Sequence, residues 1–299
     1  FYQKYYKLAY IIAFLALLAV LFIGRTVNGA KRWIYVTDTL SIQPSEMAKL
    51  LMIIFFVEIL VKNRDELNKY GKGFFFFFFM IAPIIVLLLI EPHFSASIII
   101  IGIASIMMIV AGCKFWHFLV SGLVVGIPGI IALIFLEPYR LKRVITFLNP
   151  WSDPTGDGWQ VIQSLYAIGS GGLFGAGLGE SKQKYLYIPE PHNDFIFSIL
   201  AEELGFIGCA VVIILFAIFI WRGVLIAMKS PDMFGSLIAI GITAQIAIQV
   251  IINIAVVTSS MPATGMPLPF FSYGGTSLFI LLCEMGILLN ISKAGAKKE

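Results

Sequence analysis

The sequence predicts an all-α, polytopic integral membrane protein. Three observations carry the prediction: an apolar excess, a series of continuous apolar stretches of bilayer-crossing length, and the absence of the period-two alternation of a barrel wall. Hydrophobic residues make up 59% of the 299 and charged residues 13%, with a mean hydropathy of +0.94, whereas soluble domains hold an apolar fraction nearer half. Helices need about 17–25 apolar residues to cross the hydrocarbon core. Such stretches occur at 7–24, 45–61, 74–90, 94–112, 115–136, 194–221, 233–258 and 276–292. Eight transmembrane helices in one membrane domain, 1–299, are the expectation.

The chain opens on Phe1 without an initiator Met, so a preceding portion is expected, and no cleavable signal is readable. Cys113, Cys209 and Cys283 fall in or beside apolar helices and are expected to be buried single thiols, which excludes a disulfide framework or a metal knuckle. The run Phe74 to Phe79 reads as lipid-facing filler at a helix entrance.

Lys and Arg in short loops set orientation. The loops 62–73 and 222–232 and the tail KAGAKKE are basic and share a side with the N-terminus, so that side is cytoplasmic. The outer side is then formed by 25–44, 137–193 and 259–275, which nonetheless carry Arg25, Lys31, Arg32, Arg140, Lys142, Arg143, Lys182 and Lys184. Two readings stand: contact with anionic headgroups, or an anion site for a phosphate-bearing ligand approached from outside.

The outer loop 137–193 is too long for a simple connection, since loops beyond about 15 residues are usually functional or disordered, and its mix of aromatics and cations suits an amphipathic piece at the interface. VIQSLYAIGSGG reads as a short apolar helix running into glycine-rich turns. After ESKQKYLYIPEPHND, Asn193 suits an N-cap and Asp194 the first helical turn, where a carboxylate complements the helix dipole. Asp194 also lies at the outer surface close in sequence to Lys182, Lys184 and His192, within reach of an anion that lysines would hold. Glu202 and Glu203 fall about 12 Å deeper at 1.5 Å per residue, too deep for a reacting sugar, and read as structural: paired with an intramembrane cation such as Lys49, or held protonated.

Two further stretches stand out. In NGAKRWIYVTDTLSIQPSEMAKL, 28–50, Pro44 suits a first helical position, Glu46 and Lys49 share a helix face and can pair inside the membrane, and Arg32 beside Trp33 suits a headgroup or a sugar pyrophosphate. In MPATGMPLPFFSYGGTSL, 261–278, prolines and glycines forbid a continuous helix, which points to a re-entrant loop lining a cavity.

Taken in order, the stretches resemble the SEDS family (shape, elongation, division and sporulation), the FtsW, RodA and SpoVE group. The resemblance is carried by Asn28-Gly29-Ala30-Lys31-Arg32-Trp33, Gln43-Pro44-Ser45-Glu46 with Lys49, Trp151-Ser152-Asp153-Pro154, Gln160 with Gln163-Ser164, Pro189-Glu190, His192-Asn193-Asp194-Phe195-Ile196-Phe197, Glu202-Glu203-Leu204-Gly205, and Pro267-Leu268-Pro269 with Ser272-Tyr273-Gly274-Gly275. GLGESKQKYLYIPEPHND looks closer to the division and sporulation branch than to RodA. The resemblance implies ten transmembrane helices in the complete fold, two of them ahead of this stretch. The pattern breaks at EPHFSAS, 91–97, where His93 stands in place of an outer acid of the family's Pro-Asp-Leu-Gly.

The implied activity is peptidoglycan glycosyltransfer: polymerisation of lipid II into glycan strands on the outer face of the bacterial cytoplasmic membrane. The resemblance implies Asp194 as the catalytic residue, deprotonating the attacking sugar hydroxyl. A polyprenyl pyrophosphate leaving group needs charge neutralisation more than a proton, so Lys31, Arg32, Lys182 and Lys184 are expected at the pyrophosphates and Trp33 at sugar or lipid. Ser45, Glu46, Lys49, Gln163, His192, Asn193, Ser272, Tyr273, Gly274 and Gly275 complete the expected substrate-binding set. No protein metal site is expected; the pyrophosphate admits a divalent cation, Mg²⁺ or Mn²⁺. Expected partners are lipid II, membrane lipid and a class B penicillin-binding protein, with no nucleic acid. Two alternatives remain open at this point: a lipid II flippase using Glu46, Lys49, Glu202 and Glu203 as its path, or a non-catalytic scaffold for the transpeptidase. Polar residues gathered at the outer surface favour the enzyme.

Overall fold

A computed structural model describes residues 2–27, 30–35, 37, 41–136, 138–156, 158–183 and 192–296. Helices α1 (Tyr2–Ile23), α2 (Pro44–Lys62), α3 (Phe76–Ile90), α4 (Phe94–Val110), α5 (Phe115–Ser121) and α6 (Ile127–Leu136) are followed by α7 (Pro138–Leu148), α8 (Trp159–Gly171), α9 (Ile196–Met228), α10 (Met233–Val257) and α11 (Gly275–Ala296). Among the described residues six helical stretches are long and apolar enough to cross a membrane: Tyr2–Ile23, Gly73–Ile90, Phe115–Leu136, Ile196–Met228, Met233–Val257 and Gly275–Ala296. The stretches expected at 45–61 and 94–112 are helical as well, but α2 carries Glu46, Lys49, Glu58 and Lys62, and α4 has 17 residues.

The stretch after α1 is not helical. It forms a small antiparallel sheet of β1 (Arg25–Val27), β2 (Ala30–Tyr35) and β3 (Ser41–Ile42), in the order β1-β2-β3. Its β-branched and aromatic residues suit strands, and its cations keep the edges wet.

The chain divides into two compact units. The first comprises 1–118, 220–248 and 274–299; the second comprises 119–219 and 249–273.

In the first unit Pro44 opens α2, as its fixed φ and missing N–H favour. Helix α4 ends on Gly112, φ 109°, with the Cys113 N–H donating to the Met108 carbonyl across the reversal, a Schellman-type stop. The core is built on Ile53, Phe56, Phe77, Ile81, Ile84 and Leu88. Small residues let helices close up: a Cβ on Gly241 would collide with Ile53 and Met107, and one on Gly102 with Ile248. The phenylalanine run is not uniformly lipid-facing. Phe74 and Phe77, one turn apart, are buried, Phe74 edge-on to Phe118 and Phe77 edge-on to Phe56, while Phe75, Phe76 and Phe79 are exposed. Of the three thiols, Cys113 and Cys209 are buried as expected, but Cys283 is exposed.

In the second unit α7 and α8 occupy most of the described part of 137–193, so this stretch carries structure of its own. The Ser164 hydroxyl donates to the Val257 carbonyl at 2.7 Å and meets the Ser198 hydroxyl at 2.7 Å, joining α8, α9 and α10. Helix α9 is broken at Gly205, φ 67°. Strap 172–177 completes the break: Ala176 and Gly177 N–H groups donate to the Glu202 and Glu203 carbonyls, and Phe206 and Ile207 N–H groups to Gly172 and Leu173. A Cβ on Gly205 would sit 2.3 Å from the Gly175 nitrogen, and one on Gly175 2.1 Å from the Glu203 carbonyl oxygen. The glycine-rich turns are thus a backbone-to-backbone joint.

Gly205→Ala is expected to cost about 1–3 kcal/mol from its dihedral alone, and more from the collision. Its thermal midpoint in detergent should fall by several degrees, while Gly286→Ala in α11, whose Cβ would meet nothing within 4 Å, should leave the midpoint unchanged or raised.

Candidate functional site

The second unit gathers polar groups at the head of α9. Helix α9 begins at Ile196, so Asp194 lies in the turn before the helix rather than in its first turn, and Asn193 is not its N-cap. Bonds from elsewhere in the unit hold that turn. The Asn253 side-chain amide, nearly inaccessible in α10, donates to the Asp194 carbonyl at 2.8 Å and to the Met266 carbonyl at 2.7 Å. The Ser272 hydroxyl accepts from the Leu268 N–H and donates to the Asn193 carbonyl at 2.6 Å, and the Tyr273 N–H donates to the His192 carbonyl at 2.8 Å. The Asp194 carboxylate is seated over Gly265, φ 69°, where an added Cβ would come within 3.3 Å of Oδ2. His192, Asn193, Asp194, Ser272 and Tyr273, all named from sequence, are therefore brought together, with Asn253, Gly265 and Met266 as framework. The sequence did carry a signal for Asn253, an amide in the middle of an apolar helix.

Glu202 is buried, yet its partner is not a cation. Its carboxylate accepts from the Ser181 hydroxyl and from the N–H groups of Lys182 at 3.1 Å and Gln183 at 3.3 Å, and Glu203 accepts from the Ser181 N–H at 3.4 Å. A charged acceptor facing several amides is a strong arrangement in a low-dielectric setting. The two acids tie down the loop that carries exposed Lys182, and hydroxyl and amide groups are the donors to Glu202. Lys184, Pro189 and Glu190 lie outside the described residues. Gln163 is buried in α8.

A cavity of about 440 Å³ also lies in this unit, lined by Lys142 and Arg143 of α7, by Trp159 and Gln160 at the start of α8, and by Ser259, Met261 and Ala263. Residues of 137–193 and of 259–275 meet there.

The first unit holds Lys31, Arg32 and Trp33 on β2, Ser45, Glu46 and Lys49 on α2, and Gly274 and Gly275 at the head of α11. Asn28 and Gly29 lie outside the described residues. Glu46 and Lys49 form the expected ion pair, 2.8 Å apart and buried. In the same unit Gln245 donates to fully buried Glu284 at 2.7 Å, a pair the sequence reading passed over. Arg32 donates to the Pro92 carbonyl in the turn between α3 and α4. That turn holds Glu91 and His93, both buried. Burial pushes Glu91 up to about 8 against the pull of Arg32, and burial, then Arg32 and Lys49, push His93 down to about 3. Near neutrality the turn therefore presents a protonated carboxyl and an uncharged imidazole.

Among the described residues no group of three or more His, Cys, Asp or Glu side chains could hold a metal ion.

Fold and site together define a class: a polytopic helical membrane protein with a carboxylate on a turn whose main chain is pinned at the head of a membrane helix. The chain belongs to the FtsW/RodA/SpoVE family, whose model, described as a cell cycle protein, matches residues 1–297. It is 46% identical to stage V sporulation protein E of Bacillus subtilis (strain 168) over 289 residues, 96% of this chain and 78% of the relative. It is 42% identical to the probable peptidoglycan glycosyltransferase FtsW of Geobacter sp. (strain M18) over 270 residues, 90% of this chain and 73% of the relative. Among solved structures it is similar to a chain of a peptidoglycan synthase complex that coordinates polymerization and crosslinking, with TM-score 0.81, 29% identity and coverage of 98% and 82% of the two chains. The rod shape determining protein RodA of Thermus thermophilus matches with TM-score 0.66, 27% identity and coverage of 97% and 79%.

Two outcomes follow from the buried acids. Glu202→Ala removes the acceptor of the Ser181 hydroxyl and of the Lys182 and Gln183 amides, at about 1–3 kcal/mol per orphaned group; amide exchange at 182 and 183 should accelerate by about tenfold or more, with Glu202→Gln intermediate. The turn 91–93 shapes the pH dependence of stability. Glu91 titrates from 4.5 unfolded to about 8 folded, so it costs stability as pH rises between those values; His93 titrates from 6.5 unfolded to about 3 folded, so it costs stability as pH falls between those values. The two slopes cancel between 4.5 and 6.5, leaving an alkaline limb to about 8 and an acid limb to about 3. Glu91→Gln should flatten the alkaline limb of a thermal midpoint against pH profile and let the acid limb run from about 3 up to 6.5.

Proposed function

We propose that this chain is a peptidoglycan glycosyltransferase that polymerises lipid II at the outer face of the bacterial cytoplasmic membrane, with Asp194 as its general base. Family membership and relatives named as probable peptidoglycan glycosyltransferases support the activity. The seat of Asp194 carries the residue assignment: a half-exposed carboxylate over a glycine, in a turn pinned by Asn253, Ser272 and Tyr273. A base must be rigidly placed and reachable, and this arrangement meets both needs.

In the proposed step a sugar hydroxyl of one disaccharide attacks the anomeric carbon of another. The hydroxyl proton passes to Asp194, the new C–O bond forms, and the old C–O bond breaks with its electron pair going to the polyprenyl pyrophosphate. One base and neighbouring positive charge suffice, because a pyrophosphate leaves as an anion and needs no general acid, unlike the paired carboxylates of glycosidases. Exposed Lys182, on the loop fixed by Glu202, is a candidate for that charge. A divalent cation at the pyrophosphate is compatible with the step.

The proposed topology has eight spans, α2 and α4 crossing with the six more apolar helices, and 137–193 and 259–275 outside. The sheet, α7 and α8 then lie on the outer side with Asp194. A class B penicillin-binding protein is the proposed partner, since the similar complex couples polymerization to crosslinking.

The deciding experiment is polymerisation of purified lipid II by the full-length protein with its partner. Asp194→Asn should lower polymer by at least about 100-fold, the span of a general base, with folding and partner binding unchanged. Undiminished polymer would remove Asp194 from the chemistry. No polymer from either protein, with lipid II crossing vesicle membranes in its presence, would replace the enzyme by the flippase.

A further inference from the structure

The cavity of about 440 Å³ in the second unit is within the size range of small-molecule sites, and its lining is that of a headgroup pocket. Two cations stand side by side on one wall, Lys142 and Arg143, and none of the described lining residues is acidic. Thr146 and Ser259 bring hydroxyls, Gln160 an amide and Trp159 an indole face. Cations beside hydroxyls, an amide and an aromatic plane match a phosphate joined to a sugar.

Arg143 is already oriented. One guanidinium N–H donates to the Ala263 carbonyl at 2.9 Å, which fixes the fork and reduces the entropy lost when an anion docks. Ala263 belongs to strap 261–266, the same strap that holds Gly265 under the Asp194 carboxylate and Met266 against Asn253. Two residues of chain separate Ala263 from Gly265, about 7 Å at most. One short strap therefore borders both the cavity and the carboxylate.

Helix α7 directly follows the membrane stretch Phe115–Leu136, and Leu148 and Ile145 on it are exposed beside the exposed cations. A pocket whose cations ride on an amphipathic helix at a membrane entrance takes a lipid phosphate more readily than a soluble one.

We infer that this cavity is the leaving-group subsite of the reaction, in which Lys142 and Arg143 receive the pyrophosphate of a polyprenyl pyrophosphate while the strap 261–266 keeps the adjoining sugar against Asp194. The inference rests on the glycosyltransferase reading and adds the place where charge is taken up. As the C–O bond breaks, its electron pair adds one negative charge to the pyrophosphate oxygen, and the two cations meet that charge.

The test uses the full-length protein with its partner in nanodiscs of neutral lipid, and polyprenyl pyrophosphate as the titrated probe. Lys142→Gln/Arg143→Gln should weaken binding of the probe by about tenfold or more, the scale of lost charge-assisted hydrogen bonds. Lys142→Arg, with Arg143 kept, should retain most of it, which guards against misfolding as the cause. Asp194→Asn should bind the probe as wild type does, with polymer lost. Inorganic pyrophosphate and phosphatidylglycerol added at equal amounts separate a free anion and bulk lipid from the polyprenyl headgroup; equal competition by either would overturn the assignment. Unchanged probe affinity in the Gln/Gln variant, with wild-type polymerisation intact, would overturn the subsite and leave the function standing. Loss of polymerisation in wild type would strike the function instead, and the binding arm reads the cavity regardless.

Discussion

A single side-chain amide sets the geometry at the head of α9. Asn253 sits on a helix that is otherwise apolar at that level, and its two N–H groups go to two carbonyls from different parts of the second unit, Asp194 and Met266. Irregular backbone is tolerated at membrane depth only when its polar groups find internal partners. The turn 192–195 and the segment 258–274 are both irregular, and each completes the other through Asn253, Ser272 and Tyr273. The carboxylate is thus positioned through main-chain atoms. Removing the amide would orphan two carbonyls and detach the turn from its strap together.

The acids of this chain take several roles, and surroundings rather than residue type separate them. Glu46 is neutralised by Lys49 on the same helix face, a buried pair whose desolvation is offset by close contact. Glu284 takes a hydrogen bond from Gln245 between two helices. Glu202 faces amide donors and works as a staple for a loop. Asp194 lies over a glycine, partly open. Differences in partner and exposure of this kind separate carboxylates committed to structure from one that stays open to a ligand.

Much of the helical framework was legible from apolarity alone, because a helix in lipid satisfies its own backbone and needs only length and composition. Pro44 announced the start of α2 and the prolines and glycines of 261–274 announced irregular chain, since both act through local dihedrals. What escaped depends on distant neighbours. Asn193 and Asp194 have the composition of a helix start, yet bonds from Asn253 and Ser272 hold them ahead of it. Phe74 and Phe77 are indistinguishable from Phe75 and Phe76 until Phe118 and Phe56 are known to face them. Glu202 reads from sequence as an acid paired with a cation or held protonated, whereas its donors are a serine hydroxyl and backbone amides, the latter invisible in side-chain identities. The sheet at 25–42 was hidden because strands of two to six residues in a loop leave almost no periodic signal.

The unequal burial of the three thiols has a practical consequence. Cys113 and Cys209 are closed off by neighbouring side chains, while Cys283 opens outward from α11 beside exposed Phe279 and Leu282. The chain therefore carries one exposed thiol, on a helix long and apolar enough to cross a membrane. A spin label or environment-sensitive dye placed there would report the surroundings of α11 with the native residues around Asp194 left intact.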